Sequence, residues 1–310
     1  MLNEHFHPKK TLKLIGHEKK LSFFVELINK NKFPKVLLLS GDKGIGKFTL
    51  INHLMFSYFD QKNYDLKNFK ILESSSFYKK ILQNIFPNII YLQGSDFKNI
   101  KIEDIRKLKY DLQKSPIYND KRFVILDDVE TFNLNSLNGL LKIIEDPGTN
   151  NYFIMINNKS QLLLDTIKSR SIEMKIILNN EQRNKIFSFL LENFEQRQLF
   201  EGDVINASPG NLLKFNYLTE INNININDKF SNGLNKILNL YKKDKNLFYK
   251  DFLLFFTEYY LKKNKSKIFL DEKTFIEKRS FLVRNISNFF SFNLNQNTFL
   301  NSIQNQFINE

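Results

Sequence analysis

The chain has 310 residues, about two domains by the usual relation of length to domain number, and 42% of them are hydrophobic, which suits a buried core and argues against disorder. It has no cysteine and no tryptophan, which excludes disulfides, thiolate metal sites and a cysteine nucleophile; its four histidines, His5, His7, His17 and His53, offer no His-x-x-x-His pair, so a zinc enzyme is not expected. Lys and Arg number 46 against 33 Asp and Glu, and the formal charge of +13 suits an anionic partner, although the excess is mostly lysine among abundant Asn, Ile and Phe, a bias that a skewed genome also produces.

The N-terminal stretch has no apolar run long enough for a signal peptide, and no window approaches a membrane span, so a cytoplasmic location without a membrane partner is the expectation. From Lys35 to about Ile177, short apolar runs alternate with amphipathic helices, the pattern of a parallel sheet with helices on its faces. Val36 to Leu39, Ile89 to Leu92, Phe123 to Leu126 and Phe153 to Ile156 are the strands, nearly continuous in apolar residues as doubly covered strands are. A shorter run, Ile172 to Leu178, closes the block. Beyond it the strand signals stop. Asn180 caps a helix through about Asn193, and Ala207-Ser208-Pro209-Gly210-Asn211 is a turn or helix start in a region ending near Ile224. The Asn-rich stretch from Thr219 to Asp228 reads as a linker. Leu234, Ile237, Leu238 and Tyr241 then keep one helical face, as do Phe248, Phe252, Phe255 and Tyr259, and a last helix carries Phe299, Leu300, Ile303 and Phe307.

The sharpest local signal is Gly41-Asp42-Lys43-Gly44-Ile45-Gly46-Lys47, between the first strand and an amphipathic helix. Phosphate-binding loops need glycines there because backbone N–H groups must converge on phosphate oxygens, while the lysine reaches the β and γ phosphates. An ordinary strand-to-helix turn is the bland alternative. The motif then calls for a Ser or Thr whose hydroxyl binds Mg²⁺, and here Phe48 stands in that place. Thr49 is one step on, about 100° around the helix, and so is not expected to reach the same metal. Tight Mg²⁺ binding is therefore doubtful. Further along, the strand through Leu126 ends in Asp127 and Asp128. In phosphate-loop ATPases this element gives an Asp to the Mg²⁺ shell and a following Glu polarises water. Asp127 suits the first role, while Asp128 is one methylene short of the second; a turn or helix cap is the competing reading.

Several segments, in one order, resemble bacterial clamp-loader subunits of DNA polymerase III. Asn138-Gly139-Leu140-Leu141-Lys142-Ile143-Ile144-Glu145-Asp146-Pro147 looks like their Asn-Ala-Leu-Leu-Lys-x-Leu-Glu-Glu-Pro segment, and Thr166-Ile167-Lys168-Ser169-Arg170-Ser171 like their Thr-Ile-x-Ser-Arg-Cys motif. Leu14-Ile15-Gly16-His17, Asn31-Lys32-Phe33-Pro34 and Ile102-Glu103-Asp104-Ile105-Arg106 match further landmarks. The combination is most similar to the delta-prime kind with Gly-Ile-Gly-Lys in its loop, and it runs with specific motifs from about His7 to Met174.

The resemblance implies an α/β AAA+ P-loop module over residues 1–178, a small helical lid over 179–224 and an all-α C-terminal collar over 225–310. It implies a hetero-pentameric ring with gamma/tau and delta subunits, which opens the sliding clamp and loads it on primed DNA. In that family the Ser-Arg-Cys arginine, here Arg170, reaches a neighbour's γ-phosphate, although a surface salt bridge is the plainer role. Asn157 is then the candidate first sensor or merely a strand cap, and Ala207-Ser208-Pro209-Gly210 takes the place of a lid motif whose sensing arginine it lacks. The family's four-cysteine zinc module cannot exist here, so Phe59 to Phe86 folds, or stays loose, without metal. These departures suit a member of the polymerase holoenzyme that hydrolyses little or no ATP itself, with ATP binding left open. The alternatives are an active ATPase, gamma/tau-like or another DNA-dependent one, and a DNA-binding module that uses the +13 charge directly. Lys262-Lys263-Asn264-Lys265-Ser266-Lys267 reads as a solvated loop.

Overall fold

Five strands pair in parallel in the order β4-β5-β6-β1-β7, with β1 Val36–Ser40, β4 Ile89–Gln93, β5 Arg122–Asp127, β6 Asn151–Asn157 and β7 Ile172–Lys175. The computed structural model describes residues 6–94, 100–117, 120–201, 207–265 and 271–305, so His5, Ser266, Lys267 and Phe307 lie outside the described residues. Two compact units make up the chain, Met1–Gln182 and Arg183–Glu310.

In the first unit, α1 (Glu18–Asn29) precedes β1, and the chain leaves β1 through α2 (Lys47–Phe59) and enters the sheet again at its far edge, β4. It then steps back through α4 (Ile102–Gln113), β5, α5 (Leu134–Ile144) and β6, and passes over β1 through the short α6 (Asp165–Lys168) to β7. Because such crossovers are right-handed, the outward and returning helices take opposite faces. Val36, Leu38, Val124, Leu126, Phe153 and Met155 share a core with α4, α5 and α6. Ile89, Tyr91 and Ile125 instead line a cleft with Phe48, Asn52 and Met55 of α2. The three central strands are almost wholly buried, which explains their unbroken apolar runs; β7, at the edge, is mostly exposed and ends at Lys175. Parallel pairing matters for function. It brings the C-terminal ends of β1, β5 and β6 together, where the strand order reverses, the usual place for a ligand in such sheets.

The segment from Phe59 to Phe86 is folded. It contains the antiparallel pair β2 (Tyr64–Asp65) and β3 (Lys70–Ile71) and the helix α3 (Ser76–Leu82), which is capped by the Ser75 hydroxyl accepting from the Phe77 and Tyr78 amides. Phe86 meets Phe59 and Phe77 edge to face at 4.9 Å each, and Phe59 also meets Phe123 of β5 at 5.9 Å. Such ring pairs add about 0.5–1.5 kcal/mol each beyond area burial. Among the described residues no cluster of His, Asp or Glu converges as metal ligands. His53 of α2 ties this segment to the N-terminal arm, with ring nitrogens 3.0 Å from the Tyr64 hydroxyl and 3.0 Å from the Thr11 carbonyl.

The second unit is helical: α7 (Asn180–Asn193), which starts in the first unit, α8 (Pro209–Ile221), α9 (Phe230–Asp244), α10 (Phe248–Lys263), α11 (Glu272–Phe292) and α12 (Gln296–Gln304). Helix α8 takes in Thr219 to Ile221, so the Asn-rich connection begins only at Asn222. The segments on either side of the Asn-rich connection share one apolar interior: Phe215 of α8 stacks on Phe252 of α10 at 5.1 Å, and Phe200 lies 4.9 Å from Tyr259. Helix α9 buries Leu234, Ile237 and Leu238 as its periodicity requires. Gly233 lets α10 approach closely, since a Cβ there would fall 2.3 Å from the Phe256 ring.

Candidate functional site

Ser40 ends β1, Gly41 to Gly46 form the loop, and α2 starts at Lys47. Gly44 and Gly46 hold φ of 86° and 94°, left-handed values that glycine adopts without strain. The loop is braced from below by His17, whose Nε2–H donates to the Ile45 carbonyl at 2.6 Å. Burial lowers the His17 pKa, so the ring is neutral and this tautomer is the one the carbonyl selects. A Cβ at Gly46 would approach His17 Nε2 to 3.2 Å.

Lys47 is 2% exposed, and its ammonium donates to the carbonyls of Gly41 at 2.6 Å and Asp42 at 2.8 Å. Burial draws its pKa down to about 8, against the pull of Asp127, Glu130, Asp42 and Asp128. Phe48 is buried edge-to-face against Tyr91 of β4, with ring centres 5.1 Å apart, and against His7 at 6.1 Å. Thr49 is only half-buried, one step round the helix. Asp42 and Lys43 are exposed, and Lys43 Nζ lies 3.6 Å from Asp128.

Asp127, at the end of β5, is enclosed. Its Oδ1 accepts from the Asp128 amide at 2.9 Å and from Asn158 Nδ2 at 3.3 Å, and its Oδ2 from the Tyr91 hydroxyl at 3.4 Å. Burial, then the adjacent Asp128, pushes its carboxyl up to about 7. Burial likewise pushes the Tyr91 hydroxyl up, so it stays a proton donor. Asp128 takes a left-handed backbone, φ 53°, and accepts from Asn158 Nδ2 at 2.6 Å. Asn158 is thus the side chain that bridges the two carboxylates. Asn157, the sensor candidate from sequence, instead accepts from the Lys159 amide at 2.9 Å and lies 3.5 Å from the Ser40 hydroxyl, which is a strand-end cap. Glu130 holds the loop that carries Asn158: its Oε1 accepts from the amides of Asn158 and Ser160 at 3.0 and 3.1 Å and from the Ser160 hydroxyl at 2.8 Å.

The loop and Lys47 have the donors that a phosphate needs. A catalytic Mg²⁺ needs a hydroxyl and a carboxylate free to coordinate, and here the first is a phenylalanine ring and the second already accepts from three donors. These residues do not fit the metal.

Arg170 lies just after α6, and its partners are not those of the loop. Its Nε and Nη2 both meet Glu145 Oε1 at 2.7 Å, and Nη1 donates to the Thr166 carbonyl at 3.2 Å. The side chain is 37% exposed. Ser171 caps the turn, donating to the carbonyls of Ile167 and Lys168 at 3.0 and 3.1 Å. In the second unit, Ser208 precedes α8 and Pro209 opens it; Ala207 and Gly210 flank them, so no arginine stands in this motif. Tyr91, Glu130, Glu145 and Asn158 were not singled out by sequence for roles here. Asn158, next to Asn157 at a strand end, and Glu145, inside the Asn138 to Pro147 segment, carried a local signal.

A sequence model of the family described as "DNA polymerase III, delta subunit" matches residues 16–179, more than half of the chain. The chain is 26% identical over 216 residues to DNA polymerase III subunit delta' of Bacillus subtilis, which covers 69% of this chain and 61% of that protein. It is 26% identical over 241 residues to DNA polymerase III subunit gamma of Buchnera aphidicola subsp. Schizaphis graminum, covering 73% and 63%. The chain therefore spans less than two thirds of the length of these relatives. A solved structure of a gamma subunit-related protein from Thermotoga maritima superimposes with a TM-score of 0.50 at 17% identity, covering 91% of this chain and 96% of that one, which shows a common fold.

Proposed function

The chain belongs to the clamp-loader family of DNA polymerase III described as its delta subunit, with an AAA+ fold, and from that membership we propose that it is a ring subunit of the delta-prime kind, with little or no ATP hydrolysis of its own. The observation that carries this reading is that Phe48 stands where the metal's hydroxyl ligand belongs and packs on Tyr91, whose own hydroxyl donates to Asp127. Its contribution to catalysis is Arg170, which in an assembled ring presents a fixed guanidinium to the γ-phosphate held by a neighbour and stabilises the charge that develops there. Gamma/tau and delta subunits are the proposed ring partners in a hetero-pentamer, with the sliding clamp and primed DNA met by the assembled complex in the cytoplasm. Residues 1–178, 179–224 and 225–310 are the proposed core, lid and collar.

The test has two arms. Isolated protein should show negligible ATPase, while Arg170→Ala should lower the DNA-stimulated ATPase of the reconstituted complex; unchanged activity in the second arm would sink the proposal. The retained glycines and Lys47 favour one second reading, an active ATPase of the gamma/tau kind. Substantial turnover by the isolated chain, lost on Lys47→Ala, would establish it. Affinity for ATP measured with and without Mg²⁺ separates metal-free binding, which the loop favours, from no binding at all.

A further inference from the structure

The two family-like segments, Asn138 to Pro147 and Thr166 to Ser171, meet through one ion pair, Glu145 with Arg170. An arginine has five N–H groups. Glu145 takes the edge formed by Nε and Nη2, and the Thr166 carbonyl takes one N–H of Nη1. One N–H remains on each terminal nitrogen, two donors of the kind that phosphate oxygens accept from. Both partners are anchored: Glu145 directly follows α5, whose Leu140 and Ile144 are buried, and Arg170 follows α6, whose Ile167 is buried in the same core. An exposed pair of this kind adds little to folding stability, so its consequence is geometric.

Resting on the trans role of Arg170 proposed above, we infer that Glu145 is a positioning residue. It holds the guanidinium edge-on so that the two remaining donors face a neighbour's phosphate without the pair having to break. Long side chains lose much rotamer freedom on being ordered, and Glu145 imposes that order before the neighbour arrives.

The experiment measures ATP turnover by the reconstituted complex with primed DNA, for Glu145→Ala, Glu145→Gln, Arg170→Ala and the double variant Glu145→Ala/Arg170→Ala. Glu145→Ala should lower kcat about tenfold with KM for ATP little changed. Glu145→Gln, which keeps an acceptor, should recover part of that loss. In the Arg170→Ala background, Glu145→Ala should cost nothing further. Turnover at or above wild type in Glu145→Ala, beside a loss in Arg170→Ala, would overturn the inference and leave the trans role standing. A loss from Glu145→Ala that persists in the Arg170→Ala background would also overturn it, since Glu145 would then act on the fold. If Arg170→Ala itself changes nothing, the trans role fails and the inference falls with it.

Discussion

The nucleotide-type loop and the Arg170 turn belong to one compact unit, yet their polar groups are held in opposite ways. Around the loop, Lys47 donates to its own backbone carbonyls, Asp127 accepts from three donors, and Phe48 is buried against Tyr91. Hydrogen bonds to charged groups are each worth about 1.5–3 kcal/mol, so any ligand must replace an arrangement that is already satisfied. Arg170 is held by a carboxylate that is itself half in water, an interaction worth about 0–1 kcal/mol. Within one module, groups that would serve the chain's own site are turned inward, while the group proposed to serve another chain stays within reach.

The largest effect that could break this contrast is at Arg170. Arg170→Ala should lower turnover at the neighbouring ATP site about 10³-fold, the scale of a lost arginine finger. Calorimetry of the isolated chain should show a nearly unchanged melting temperature, because the ion pair is exposed; a large drop would mean that Arg170 is structural. Phe48→Ser tests the other half. It should cost about 3 kcal/mol of unfolding free energy by urea titration, the scale of an emptied aromatic site. Hydrolysis in Mg²⁺ should not appear, because Tyr91 and its contact with Asp127 remain; its appearance would erase the contrast.

Burial of polar groups on the loop helix also predicts a pH dependence. Burial lowers the pKa of His53 from 6.5 to about 4, against the favourable Thr11 contact. Below pH 6.5 the unfolded chain binds a proton that the folded chain does not, so stability is full above that pH and falls as pH drops toward about 4. The contribution is roughly 3 kcal/mol. Denaturant midpoints measured across that window should fall, and His53→Gln should flatten this part of the profile. The smallest effect is expected at Ser171. Ser171→Cys should cost about 1 kcal/mol or less, since a thiol donates only weakly to the two carbonyls capped here, and turnover by the complex should be unchanged.

Much of the site was legible in sequence because its elements are local. Three glycines and a lysine between an apolar strand and a helix mark the loop, two aspartates mark the end of β5, and Arg170 sits in a six-residue motif. What was not legible are the partners. Tyr91 reaches Asp127 across 36 residues, Glu130 reaches Ser160 across 30, and Arg170 reaches Glu145 across 25. That Asn158, beside Asn157, reaches both carboxylates was equally hidden, because neighbours at a strand end differ only in which way the backbone turns them. Nor could the cysteine-free stretch from Phe59 to Phe86 declare its fold, since its ring contacts draw on Phe123 of β5.

From sequence alone come the parallel α/β core, the helical C-terminal half, the loop, the carboxylates and the arginine, because hydrophobic period and short motifs are properties of neighbouring residues. Tertiary structure alone decided that the helices α8 to α12 share one unit, that Tyr91 packs on Phe48 and donates to Asp127, and that Arg170 is held by Glu145. Burial and pairing depend on which distant segments the fold brings together, and those two quantities set whether a lysine, a carboxylate or an arginine is free to act.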